Sequence, residues 1–198
     1  MKYIIMADGK GSRWNNFMGH SKHDIRVEGE TLLQRTVRLL HEQDSDAEVI
    51  ITSHDPLLHI EGATRYEPQN NVLEVDRFTA ELIGDDICFL YGDVLYSAEA
   101  ISAVVSRRNE ESVLFFGSEK SICAVLVRDG ELFRSCYLKV REMFLNGEIS
   151  ECKGWQVYHI YAELPLMGRE IGRGYVMLDS FTRDFNCPED YLSYISES

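Results

Sequence analysis

The chain has 198 residues, 44% of them hydrophobic and 11% aromatic, which is too apolar for disorder and enough for a sizeable core. Thirty-three acids against 20 Lys and Arg leave a net charge of −13, which argues against nucleic-acid polymers and anionic membranes as partners. The five cysteines, Cys88, Cys123, Cys136, Cys152 and Cys187, form no C-x-x-C pair and read as thiols of a reduced, cytoplasmic chain. No signal peptide is visible, and no apolar run approaches the roughly 18 residues that span a bilayer.

Residues 2–6 read as a buried strand that breaks into Ala7-Asp8-Gly9-Lys10-Gly11-Ser12-Arg13. Glycines after a buried strand let a phosphate approach backbone N–H groups. Arg13 and Lys22 add one forked and one point-like cation. Two commoner phosphate motifs do not fit. A dinucleotide fingerprint needs glycine where Trp14 stands, and a P-loop needs Ser or Thr where Gly11 follows Lys10.

Farther on, Ile25 and Val27 suggest a short half-exposed strand, and Thr31 is a plausible cap for a helix ending near Gln43. Residues 47–52 read as a second buried strand, and residues 53–71 as a long loop containing Gln69, Asn70 and Asn71. Apolar positions from Val72 to Ile83 trace a helical face. Residues 87–91 form a third strand, ending in Gly92-Asp93. Ser97 then opens a helix to about Arg108, and residues 113–116 form another strand. This β-α alternation predicts a parallel sheet with helices on its faces.

After Ser118 the pattern changes. Residues 122–133 read as an antiparallel hairpin around Asp129-Gly130. Residues 137–145 and 155–164 look helical, residues 175–178 form a late strand, and Pro188 starts the last helix. Ligands in open α/β sheets bind at the carboxyl ends of strands, where the glycine loop and Asp93 both fall. There Asp93 either meets a bound phosphate through Mg²⁺ or caps the helix that follows.

The segment Ala7-Asp8-Gly9-Lys10-Gly11-Ser12-Arg13 with Ser21-Lys22 resembles the signature of the nucleoside-triphosphate transferases. This family includes sugar-phosphate, phosphocholine and molybdopterin nucleotidyltransferases. Leu90-Tyr91-Gly92-Asp93-Val94 is similar to its strand ending in Gly-Asp, and Asp184-Phe185-Asn186-Cys187-Pro188-Glu189-Asp190-Tyr191 to its late segment. Asp8 departs from the family's small neutral residue, and Asn186 and Cys187 from its Asp and its Ser or Thr.

The resemblance implies an α/β fold of one three-layer domain, residues 1–198. Its mostly parallel, mixed sheet would be Rossmann-like and of the glycosyltransferase-A-like nucleotidyltransferase type. Residues 1–118 would bind nucleotide; residues 119–198 would bind the acceptor and supply the second metal segment. The implied reaction moves a nucleoside monophosphate from a triphosphate to a small phosphomonoester such as a sugar 1-phosphate or phosphocholine. Arg13 and Lys22 would be catalytic. Ala7, Asp8, Gly9, Gly11, Ser12, Gln69, Asn70 and Asn71 would bind nucleotide. Asp93 with Asp184 or Asn186 would hold Mg²⁺, and Lys153, Tyr158, Arg169 and Arg173 would face the acceptor. The alternatives are a glycosyltransferase, whose D-x-D motif could only be Asp44-Ser45-Asp46, and a non-catalytic nucleotide sensor.

Overall fold

The computed structural model describes residues 1–9, 14, 17, 25–107, 111–178 and 182–197. Arg13, Lys22, Gly11 and Ser12, on which the phosphate loop rests, lie outside these residues. In chain order the elements are β1 (Lys2–Met6), β2 (Arg26–Val27), β3 (Glu30–Thr31), α1 (Leu32–Gln43), β4 (Glu48–Thr52) and β5 (Thr64–Tyr66). Next come β6 (Ile87–Tyr91), β7 (Val94–Leu95), α2 (Ala98–Ser106), β8 (Val113–Gly117) and β9 (Ile122–Val127). The remainder are α3 (Gly130–Leu145), α4 (Gly154–Ala162), β10 (Tyr175–Met177), β11 (Arg183–Asp184) and α5 (Pro188–Glu197).

Seven strands form one sheet in the order β10-β8-β9-β6-β1-β4-β5. Every neighbouring pair is parallel except the two made by β9, which runs against both β6 and β8. Because side chains alternate across a strand, β1 supplies both core layers. Tyr3 and Ile5 pack with Leu33, Val37 and Leu40 of α1 and Ile101 and Val104 of α2. Ile4 and Met6 face the layer of Phe133 and Val140 of α3 and Val157 and Tyr158 of α4. A third cluster joins Trp14, Ile25, Val27, Leu32, Leu95 and Phe185. It fastens the late segment to the residues just after the glycine loop. Among the described residues no helix is long and apolar enough to cross a membrane.

Local signals held where their partners are close in sequence. Thr31 caps α1 through a reciprocal box: its hydroxyl accepts from the Gln34 N–H at 3.2 Å, and Gln34 Oε1 accepts from the Thr31 N–H at 2.9 Å. Ser97 caps α2.

Three expectations are corrected. The hairpin over 122–133 does not form, because Asp129 is the N-cap of α3, accepting from the Leu132 N–H at 2.9 Å. Gly130 is there for a close approach: a Cβ would sit 2.5 Å from the Gly84 carbonyl carbon. The true hairpin partner of β9 is β8, through a turn closed by Ser118 N–H to Ser121 O at 2.9 Å. Residues 72–83 form two 3-10 turns, Glu74–Phe78 and Ala80–Leu82, broken at Thr79, whose φ is +45°. The loop 53–71 contains an edge strand, β5.

Candidate functional site

Three adjacent strands, β6, β1 and β4, run parallel and end at one edge. β1 releases Ala7-Asp8-Gly9 there, β4 releases Ser53-His54, and β6 releases Gly92-Asp93. Their exits are stitched together. The Ala7 N–H donates to Thr52 O at 3.2 Å, and the Gly92 N–H donates to Met6 O at 3.0 Å. Glycine at 92 is a packing requirement, since a Cβ would lie 2.8 Å from Met6 O and 3.2 Å from Ala7 Cα.

Asp93 is buried, at 7% exposure. Ser97, not Asp93, caps α2. Two residues of β7 then pair with β11, setting Asp184 opposite Val94. The Phe185 N–H donates to Asp93 O at 2.9 Å, which fixes the late segment against the Gly-Asp turn. Phe185 is fully buried and packs edge-on against Tyr191 and Tyr194. Asn186 Nδ2 donates to Asp184 Oδ2 at 2.5 Å. Asp190 holds the start of α5, accepting from the Asn186 and Cys187 N–H groups at 2.8 and 2.9 Å. Ninety residues of sequence are thus closed by one short ladder, and Asp184 stands beside the turn that carries Asp93.

Tyrosines brace this edge. Tyr96 Oη donates to Cys123 O at 2.5 Å and accepts from the Tyr91 N–H at 3.0 Å. Burial pushes the Tyr96 and Tyr91 hydroxyls well above their ordinary range, so both stay protonated. Burial, with the Asp184 carboxylate adding to it, pushes the Cys123 thiol up to about 12. The Cys123 thiol therefore stays protonated at neutral pH and is a poor nucleophile.

Asp8 has an unexpected partner in His54. Its Oδ1 accepts from the His54 N–H at 2.9 Å, and its Oδ2 lies 2.7 Å from His54 Nδ1. Asn71 Nδ2 donates to the same Oδ2 and to Asp8 O, each at 2.7 Å. Gln69 is exposed, with its N–H on Glu81, and Asn70 is half-buried.

The four acceptor candidates separate. Lys153 precedes Gly154, where a Cβ would meet Tyr91 Oη at 2.5 Å, so the start of α4 sits over the end of β6. Lys153 Nζ pairs with Glu151 at 2.7 Å. Arg169 reaches the β8–β9 turn, donating to Lys120 O at 2.8 Å, and lies over the Trp155 ring. Tyr158 is fully buried, its hydroxyl accepting from the Gly172 N–H at 2.6 Å. Arg173 holds Tyr161 O and Glu163 at the opposite end of α4. Lys153 and Arg169 thus share the carboxyl edge; Tyr158 and Arg173 do not. The D-x-D lies elsewhere too: Asp44 is buried between α1 and β4, accepting from Tyr3 Oη at 2.9 Å, at the other end of the strands.

Among the described residues no three His, Cys, Asp or Glu side chains cluster as a metal centre. Asp93 and Asp184 stand on adjoining backbone segments, and both offer the oxygen donors that Mg²⁺ takes together with phosphate oxygens and water.

By sequence the chain matches no family model and no curated protein. By structure it resembles several solved proteins over nearly its whole length. UTP-bound UGPase from Acinetobacter baumannii superposes with a TM-score of 0.66 at 12% identity, covering 99% of this chain and 92% of that one. CTP:phosphocholine cytidylyltransferase from Streptococcus pneumoniae gives 0.61 at 11%, covering 99% and 98%. 2-C-methyl-D-erythritol 4-phosphate cytidylyltransferase from Thermus thermophilus gives 0.60 at 14%, covering 99% and 97%. The fold is that of the nucleotidyltransferases.

Proposed function

We propose that this chain, built on the nucleotidyltransferase fold, transfers a nucleoside monophosphate from a nucleoside triphosphate to a small phosphomonoester and releases pyrophosphate. The observation that carries the reading is the convergence at one sheet edge of the β1 exit, Gly92-Asp93 and Asp184-Phe185-Asn186. Solved proteins of this fold include enzymes named for such reactions on phosphocholine and methylerythritol phosphate.

The backbone from Ala7 to Ser12 receives the triphosphate, and Arg13 and Lys22 hold its β- and γ-phosphates. Asp93, with Asp184 or Asn186, would hold Mg²⁺, which supplies charge neutralisation at the α-phosphate when bound. Lys153 and Arg169 face the acceptor's phosphate. An oxygen of that phosphate attacks the α-phosphorus. The bond from the α-phosphorus to the bridging oxygen breaks, and pyrophosphate leaves with that electron pair. The nucleophile is already an anion, so no strong general base is needed. Positioning and charge stabilisation account for the rate.

The test is to incubate the protein with each ribonucleoside triphosphate, Mg²⁺ and a panel of sugar 1-phosphates and phosphocholine, following pyrophosphate. Arg13→Ala and Lys22→Ala should each lower turnover by about 10²–10³-fold, as loss of a transition-state charge donor does. Parental turnover in both variants would sink the phosphate-loop reading. Nucleoside diphosphate released from a nucleotide sugar would favour glycosyl transfer, and binding without turnover would favour a sensor.

A further inference from the structure

An aspartate immediately before Gly9, at the mouth of a loop read as binding a triphosphate, poses an electrostatic problem. Like charges at close range repel, and the repulsion grows where water is excluded. The surroundings of Asp8 answer it. Its carboxylate receives three donors: the His54 N–H, His54 Nδ1 and Asn71 Nδ2. All three come from the β4 side of β1 or from the loop after β5. β6, with Asp93 at its end, flanks β1 on the opposite side. The Asp8 side chain is only 10% exposed, whereas the His54 ring is 48% exposed.

We infer that His54 and Asn71 are positioning residues that draw the Asp8 carboxylate along the sheet edge toward β4, away from the triphosphate and from Asp93. The inference rests on the nucleotidyl-transfer reading and adds to it. Asp8 and Asn71 are committed to each other rather than to the nucleotide. His54 acts through Asp8 and does not touch substrate. In the tautomer that carries its proton on Nδ1, the His54 ring donates to Asp8 Oδ2.

The test is a mutant cycle read by calorimetry with ATP, CTP, GTP and UTP, each with Mg²⁺. His54→Ala removes the Nδ1 donor, leaving the backbone N–H of residue 54 and Asn71 on the carboxylate, and should weaken the best triphosphate by up to about tenfold. The loss should shrink modestly as salt rises, because it is a repulsion between charges that are only partly shielded from solvent. His54→Gln, whose amide can still donate to Asp8, should recover part of the affinity. The discriminating variant is Asp8→Ala/His54→Ala, which should bind more tightly than His54→Ala because the unmasked charge has gone. If His54 merely clamps two loops, the double variant binds as weakly as the single one, and the inference is overturned. Parental affinity in His54→Ala overturns it as well. A parent protein that binds none of the four triphosphates removes the nucleotidyl-transfer reading itself, and this inference with it.

Discussion

Gly92→Ala puts one methyl group where β6 hands over to Asp93. Gly92 does not have a positive φ, so alanine can adopt the backbone conformation, and only space opposes it. The added carbon would lie 2.8 Å from Met6 O and 3.2 Å from both Ala7 Cα and Cβ. Carbon–oxygen contacts settle near 3.3 Å, so the β1 and β6 exits must part by about 0.5 Å. Forcing a methyl into such packing costs about 1–3 kcal/mol. Stretching the 3.0 Å bond from the Gly92 N–H to Met6 O adds about 0.5–1.5 kcal/mol. The expected destabilisation is therefore about 1.5–4.5 kcal/mol, read as a lower urea midpoint at constant m-value. The same displacement moves Asp93 relative to the glycine loop. A 1 Å misplacement costs about 10²-fold, so half of that should lower pyrophosphate release on the order of tenfold at temperatures where the variant stays folded. A Gly92→Ala protein within 0.5 kcal/mol of the parent, with parental turnover, would refute the idea that close approach of the two exits sets the site.

Two further expectations concern buried carboxylates. Asp76 accepts from Tyr137 Oη at 3.0 Å, Arg141 Nε at 3.1 Å and the Val72 and Leu73 N–H groups at 3.2 and 2.9 Å. Asp76→Ala should cost about 3–5 kcal/mol in urea unfolding, since it strands a buried hydroxyl and two backbone donors; a loss below about 1 kcal/mol would contradict this accounting. At Asp44, burial raises the pKa, but the Tyr3 hydroxyl and its other donors outweigh it and hold the carboxyl below the usual carboxylate range. Its contribution is full above the unfolded value of about 3.9 and is lost as pH falls through the lower folded value. Asp44→Asn should therefore be less stable than the parent at neutral pH, and the gap should close toward pH ~2; a gap independent of pH would count against the Tyr3–Asp44 contact.

Much of the fold was legible because the strands at 2–6, 48–52, 87–91 and 113–117 are buried on both faces and read as continuous apolar runs. Thr31 and Ser97 were legible because a cap and its acceptor lie three residues apart. Asp129-Gly130 misled because the same dipeptide serves a tight turn or a helix start; packing of Gly130 on Gly84 decides, and that contact is tertiary. The break at Thr79 has the same kind of cause, since Tyr137 and Arg141 of α3 anchor Asp76. At the site, Gly92-Asp93 and Asp184-Phe185-Asn186 could be read as motifs. His54 could not, because its partner Asp8 lies 46 positions earlier. Its one sequence signal was its place just beyond the end of a buried strand. Arg13 and Lys22 lie outside the described residues, so their roles rest on the sequence.

The central position of β1 has a consequence for how the chain acquires its shape during synthesis. β1 is made before both strands that flank it, so its apolar run stays without these partners until residues 48–52 and then 87–91 have emerged. Such long-range parallel pairing is slow, because loop closure must precede any stabilising contact. The juxtaposition of Asp93 with Asp184 comes later still, when β11 reaches β7. Partly made chains therefore expose an unpaired apolar strand, a state prone to aggregation, while the Asp93 turn and Asp184 are still apart.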